Sequence, residues 1–92
     1  MAMGTTLKAI ADPVRRRILE LLKTRSYSAG ELATQFDLKQ ATVSYHLKLL
    51  KEAGLITERH EKNFIYYDLN TSVFEEVLGW IYSLGGHDDE SK

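Results

Sequence analysis

A chain of 92 residues, 43% hydrophobic and 27% charged, has the composition of one small folded domain and not of a disordered segment. It holds no cysteine, which excludes disulfides, thiolate metal sites and cysteine nucleophiles, and no stretch approaches the roughly 20 apolar residues of a membrane span. The formal net charge is −1, but residues 1–84 carry 11 basic against 10 acidic groups, and phosphate binding depends on local basic surface, so the total does not exclude a nucleic-acid partner.

A first helical stretch spans residues 5–11, with Leu7 and Ile10 three apart. Asp12-Pro13 ends it: aspartate is a favoured N-cap, and proline at the first helical position gives up an amide that has no helical partner anyway. The helix that begins there extends to about residue 23, with Val14, Ile18, Leu21 and Leu22 at i, i+4, i+7 and i+8. Ser28 followed three residues later by Glu31 is a capping box and opens a third helix over residues 29–36. After the short turn Asp37-Leu38-Lys39, Val43, Leu47 and Leu50 lie on one face of a fourth helix, which ends at Gly54 in the left-handed C′ position.

The periodicity then changes. Residues 55–59 and 64–69 are rich in Ile, Tyr and Phe and read as strands, with the polar residues 60–63 as the hairpin turn between them. Asn70 is placed to cap a last helix, in which Val73, Val77, Trp80 and Leu84 interleave with Phe74, Leu78 and Ile81 before Gly85-Gly86 ends it. The expected architecture is mainly α with a small β-hairpin, five helices and a two-stranded wing, the hairpin lying between the fourth and fifth helices. Residues 1–84 form one domain in this reading, and residues 85–92 a flexible acidic tail.

Two short helices joined by a three- to four-residue turn, the second opening on polar residues, describe a helix-turn-helix, and the hairpin after it makes the motif winged. With Val43, Leu47 and Leu50 buried, a rotation of about 100° per residue sets Ala41, Tyr45, Lys48 and Glu52 opposite them, with Thr42 and Ser44 on the flanks. Gln40, Thr42, Ser44 and Tyr45 are the expected major-groove residues, because small and polar groups approach base edges closely and an amide pairs with adenine through two hydrogen bonds. Lys39 and Lys48 are expected nearer the phosphates. His46 is a candidate contact that reads equally as a partly buried packing residue. At the hairpin, Arg59, His60 and Lys62 gather cationic chemistry suited to a wing on the backbone, and an ordinary solvated turn would also carry such residues. Arg15, Arg16 and Arg17 spread over about 200° of helix, so one or two reach phosphate or at least one pairs with Glu20 or a neighbouring helix.

The last helix has the widest apolar face in the chain. Either it folds onto the protomer's own core, or Leu7, Ile10, Val73, Phe74, Val77, Trp80, Ile81 and Leu84 form a helical dimer interface; the interleaved stripe favours the dimer. Two-fold symmetry would then present two recognition helices to a near-palindromic duplex operator about one helical turn apart. No Gly-rich phosphate loop or paired-carboxylate spacing is present, and Ser44 and His46 point apart on their helix, so the chain does not read as an enzyme. No leader-like basic and apolar segment opens the chain, and the expected location is the cytoplasm, without membrane insertion.

Residues 7–22, 28–36, 41–56 and 64–69 together resemble the ArsR/SmtB family of winged helix-turn-helix repressors, and the ending IleTyrTyrAspLeu before an Asn-capped helix is most similar to its SdpR-like autorepressor branch. The resemblance implies a dimer held by the first and last helices that blocks transcription at an operator, and, by family analogy, a protein partner that sequesters the repressor. Metal-sensing members place cysteines before the recognition helix, or carboxylate and imidazole pairs in the last helix. Here the first stretch is GluLeuAlaThrGlnPhe and the last helix offers only the adjacent Glu75 and Glu76, so no metal or cofactor is expected. His87, Asp88 and Asp89 read as tail rather than as ligands. An effector-responsive sensor of the same family and a protein-docking module that never touches DNA remain the alternatives. Relatives often carry glycine at the wing tip; this chain has GluLysAsn, with Asn63 the expected left-handed residue.

Overall fold

Asp12 and Pro13 separate the first two helices as their chemistry requires, in a computed structural model that describes residues 3–86. Helix α1 (Met3–Ile10) leads to α2 (Pro13–Thr24), whose first turn is held by Asp12 accepting from the Arg15 amide at 3.0 Å. A two-residue strand β1 (Tyr27–Ser28) runs directly into α3 (Ala29–Gln35), and a turn leads to α4 (Gln40–Glu52). The hairpin follows as β2 (Ile56–Glu61) and β3 (Phe64–Leu69), and α5 (Thr71–Ile81) closes the fold.

The wing therefore belongs to a three-stranded antiparallel sheet of order β1-β3-β2, one strand more than the hairpin expected from sequence. Tyr27 pairs with Tyr67 and Ser28 with Tyr66, while Glu61 lies opposite Phe64 at the far end of the hairpin. Lys62 and Asn63 alone form the connection, and the left-handed residue is Lys62, at φ 54°, not Asn63. The strands run farther than the residues 55–59 expectation because a two-residue loop lets the ladder continue to Glu61.

Gly54 adopts φ 78° immediately after α4, the left-handed conformation at which a side chain is strained. Its amide reaches the Lys51 carbonyl at 2.9 Å and the Leu55 amide reaches the Leu50 carbonyl at 3.0 Å, the paired bonds of a Schellman ending. Asn70 occupies the N-cap position of α5, but its side chain does not cap the helix. Instead Nδ2 donates to the Gly54 carbonyl at 2.9 Å, joining the end of α4 to the start of α5. Beyond Ile81 the chain widens into a π-type turn over Tyr82–Gly86 with Gly85 at φ 117°, so α5 ends about a turn before the expected Leu84. Of the expected tail, residues 87–92 lie outside the described residues.

Ile18, Leu32, Val43, Leu47, Leu50, Leu55 and Ile56 form the centre of the core, contributed by α2, α3, α4 and the entry to β2. Val73 and Val77 close it from α5. The chain measures 51 × 24 × 23 Å with a radius of gyration of 14.9 Å. A compact chain of this length is expected near roughly 12 Å. The chain is thus elongated, and its last helix carries apolar surface that the core does not absorb.

Candidate nucleic-acid interface

The helix-turn-helix is set by its caps. Ser28 Oγ accepts from the Glu31 amide at 3.2 Å, and Glu31 returns a carboxylate to the Ser28 amide at 2.9 Å, closing the capping box. That backbone amide, with Arg25 nearby, holds the Glu31 carboxyl below its ordinary value. The Lys39 carbonyl accepts from the amides of Thr42 and Val43 at 3.0 and 3.1 Å, and no side chain caps α4. The positive end of the α4 dipole is therefore left to whatever anion approaches it.

Burial of Val43, Leu47 and Leu50 turns the other faces of α4 outward. Gln40, Thr42, Ser44 and Lys48 are exposed, and Tyr45 keeps 58% of its surface. Lys39 and Lys48 have no ion-pair partner among the described residues. Gln40 and Ser44 line a groove of about 410 Å³ together with the cap residue Ser28, Gly30 of α3, and Asn63, Phe64 and Tyr67 of the wing. The structure thus brings Gln40 and Ser44 together with the wing across one cleft. Asn63, expected only as a turn residue, and Phe64 join that surface; a polar residue in the turn and an aromatic beside it were the available signal.

His46 takes the inward alternative. Its side chain is 13% exposed, with Nδ1 3.3 Å from an Arg15 guanidinium nitrogen and 4.0 Å from Asp12. The three arginines of α2 divide their work. Arg15 and Arg16 donate to the carbonyls of Ala9, Ile10 and Ala11 at the end of α1, and Arg17 pairs with Glu20 at 3.3 Å. Carbonyls at a helix C-terminus lack internal partners, so these contacts satisfy a need built into α1.

The wing departs from the expected cationic tip. Arg59 and His60 are strand residues, and only Lys62 sits in the turn. Glu58 faces α4, where Lys51 Nζ donates to it at 2.6 Å, and alternation along β2 turns Arg59 to the opposite face. There Arg59 binds Glu61, donates to Asp68 at 3.3 Å and to Ser26 at 2.9 Å, and lies 5.5 Å from the Tyr66 ring centre. Ser26 also donates to Asp68. That hydroxyl, seconded by Arg59, holds the Asp68 carboxyl below its ordinary value, and Asp68 and Glu61 raise the Arg59 guanidinium. Arg59 is thereby a strut of the wing's base, tied to the segment before β1. His60 remains on the α4 side, 4.0 Å from Glu58, and Lys62 has no ion-pair partner among the described residues.

A second exposed surface runs along α5. Leu78, Trp80, Ile81, Tyr82 and Leu84 are open to solvent, as is Leu7 of α1. Of the remaining residues expected there, Phe74 and Ile10 are half-buried against the core, while Val73 and Val77 are 4% and 8% exposed and buried within the chain's own fold. Those two valines do not belong to the exposed strip, because the first turns of α5 lie on the core and only its later turns project beyond it. Among the described residues no group of three or more His, Cys, Asp or Glu is placed to hold a metal, and no helix is long and apolar enough to cross a membrane.

Comparison with known proteins places this geometry. A family model described as a helix-turn-helix domain matches residues 10–59. The transcriptional repressor SdpR of Bacillus subtilis (strain 168) is 42% identical over 79 residues, 86% of this chain and 88% of that protein. The arsenical resistance operon repressor of Staphylococcus aureus is 33% identical over 83% of this chain and 73% of its own length. The solved structure of HlyU from Vibrio cholerae N16961 superposes with a TM-score of 0.73 at 30% identity, covering 89% of each chain. With its helix-turn-helix, wing and core located, the chain belongs to the ArsR/SmtB family of winged helix-turn-helix transcriptional regulators.

Proposed function

We propose that this DNA-binding regulator is a homodimeric repressor, acting on its own promoter, that reads a near-palindromic operator through α4 and touches the backbone with the wing. The observation that carries the reading is the outer face of α4, where Gln40, Thr42, Ser44, Tyr45 and Lys48 stand exposed over a helix fixed by buried Val43, Leu47 and Leu50. Lys39 and Lys48 flank that face toward phosphate, and Lys62, without an ion-pair partner among the described residues, is the wing residue offered to the backbone. The exposed strip of Leu7, Trp80, Ile81 and Leu84, with Leu78, supports pairing of two protomers, since each large apolar side chain withdrawn from water contributes about 1.5–3 kcal/mol. The repressor names of the relatives above support the direction of control. A protein partner that withdraws the dimer from DNA is the release route this reading favours.

The test is a titration of the metal-free protein against the DNA upstream of its own gene and a scrambled control at two salt concentrations, with sedimentation of the free protein. Sequence-specific binding that weakens with salt, by a protein that sediments as a dimer, is expected. Salt-sensitive binding without preference would move the operator elsewhere, and no binding at either salt would favour an effector-dependent sensor or a protein-docking module. Trp80→Ala is expected to raise the dimer dissociation constant at least tenfold.

A further inference from the structure

Arg15, in the first turn of α2, reaches two other helices at once. Its Nε donates to the Ala9 carbonyl at 2.7 Å and a terminal nitrogen reaches the Lys8 carbonyl at 3.5 Å, both at the C-terminal end of α1. Its other terminal nitrogen lies 3.3 Å from Nδ1 of His46, within α4. A guanidinium offers no acceptor and stays protonated in proteins, so this contact is a hydrogen bond only if Nδ1 accepts and the neutral ring carries its proton on Nε2. Asp12, fixed by the Arg15 amide, stands 4.0 Å from the same Nδ1, and the Tyr45 ring stands edge-on to the imidazole at 5.5 Å. A second tie joins the same pair of helices farther along: Thr6, 1% exposed, donates Oγ1 to the Ala53 carbonyl at 3.4 Å, at the C-cap of α4.

We propose that Arg15 is a positioning residue for DNA recognition: through His46 it fixes how α4 is rotated against α1, and so which side chains α4 presents to the groove. The inference rests on the reading of α4 as the DNA-reading helix. Two tie points, one at His46 and one at Ala53, are what holding a helix against rotation and tilt requires. Arg15 is distinct from a phosphate contact because its donors are turned inward to Ala9, Lys8 and His46, in contrast to Lys39, Lys48 and Lys62. Since α1 also carries Leu7 of the exposed strip, the same link makes the pairing of protomers and the aim of α4 parts of one rigid unit.

The experiment uses duplex sites selected from a random pool by the wild-type protein. Arg15→Met keeps the aliphatic stem and removes every donor; His46→Leu removes the acceptor; His46→Asn keeps an acceptor near the Nδ1 position. Arg15→Met and His46→Leu are each expected to weaken specific binding about tenfold, with the double variant no weaker than either alone and His46→Asn close to wild type. The slope of log affinity against log salt is expected to stay unchanged. If Arg15→Met fails to fold by circular dichroism, Arg15→Gln, which removes the charge and the fork but keeps a polar side chain, is expected to show the same loss and the same slope. A slope reduced by about one would make Arg15 a phosphate contact and overturn the proposal. Additive losses, or unchanged affinity for a site that the wild type selects, would also overturn it while leaving the DNA reading intact. A wild-type protein that selects no site would remove the DNA reading and the positioning role with it. In the free protein, long-range ¹H–¹⁵N spectra are expected to show His46 Nδ1 unprotonated, and a protonated Nδ1 overturns the link whatever the DNA result.

Discussion

On the outer face of α4, Lys48 has no ion-pair partner among the described residues and stands beside exposed Gln40, Thr42 and Ser44, whereas on the β2–β3 hairpin Glu58, Arg59, Glu61 and Asp68 are all engaged with protein partners. The difference follows from how each element is held. α4 is fixed by three buried side chains on one face, which leaves the opposite face free of structural duties. The hairpin is two strands wide beyond the short β1, and among the described residues no element packs over the face that carries Arg59, Phe64 and Tyr66, where Phe64 keeps 58% of its surface. It gains rigidity there from Arg59 bridging Ser26, Glu61 and Asp68. A cation near a presumed interface is therefore a phosphate contact only if the fold has not already claimed it, and residue type alone does not reveal which.

The largest effect should come from the buried side of α4. Leu47→Ala removes a side chain that is 1% exposed and is expected to destabilise the protein by about 2–5 kcal/mol, read by chemical denaturation. Tyr45→Ala, two positions earlier and 58% exposed, should leave the midpoint almost unmoved. Equal losses of stability in the two variants would break the division of α4 into a structural and a presenting face.

The next effect is on recognition. Gln40→Ala and Thr42→Ala are each expected to reduce specific affinity by about 1–3 kcal/mol while leaving non-specific binding and the melting temperature near wild type. Competition assays at matched salt measure the difference. Unchanged specificity in both variants would take base reading away from this helix.

Much of this organisation was legible in the residues. Asp12-Pro13, the Ser28/Glu31 capping box and Gly54 bound helices within two or three residues of where they lie, because caps are local chemistry. Strand β1 was not legible: two residues, Tyr27 and Ser28, show no period, and only pairing with Tyr67 and Tyr66 makes them a strand. Asn70 has the right residue type and position for a cap, yet its amide goes to the Gly54 carbonyl, a partner 16 positions earlier that only the folded chain supplies. The same limit applies to Arg15, Arg59, Val73 and Val77. Their types are readable, but the face each occupies in three dimensions decides its work.

Smaller effects concern the wing's base. Asp68→Asn should lower stability by less than about 1 kcal/mol at neutral pH, since a carboxylate 36% exposed is substantially screened. The carboxyls of Asp12, Glu31 and Asp68 all lie below their ordinary values in the folded chain. Each therefore contributes stability that is present above the unfolded value, about 4, and lost as pH falls through the lowered folded value. Melting temperature is expected to drop below about pH 4, and the gap between wild type and Asp68→Asn should close over the same range. A gap that persists at pH 3 would mean that packing or hydrogen-bond geometry, not the charge of Asp68, holds the base of the wing.

The smallest change separates two cations three residues apart. Lys62 occupies the turn at φ 54° without an ion pair among the described residues, and Arg59 is bound on the other face of the strand. Asparagine tolerates the left-handed conformation, so Lys62→Asn removes the charge without forcing the turn to rearrange. If Lys62 meets a phosphate, that variant should weaken binding about equally for all sequences and lower the salt slope by about one. Arg59→Gln should leave the slope unchanged and register instead as a loss of thermal stability, because its partners Asp68 and Ser26 belong to the fold. The reverse pattern would mean that the wing opens its Arg59 bridge on meeting DNA, giving up internal ion pairs for phosphate contacts, and the strut would then be a feature of the free protein alone.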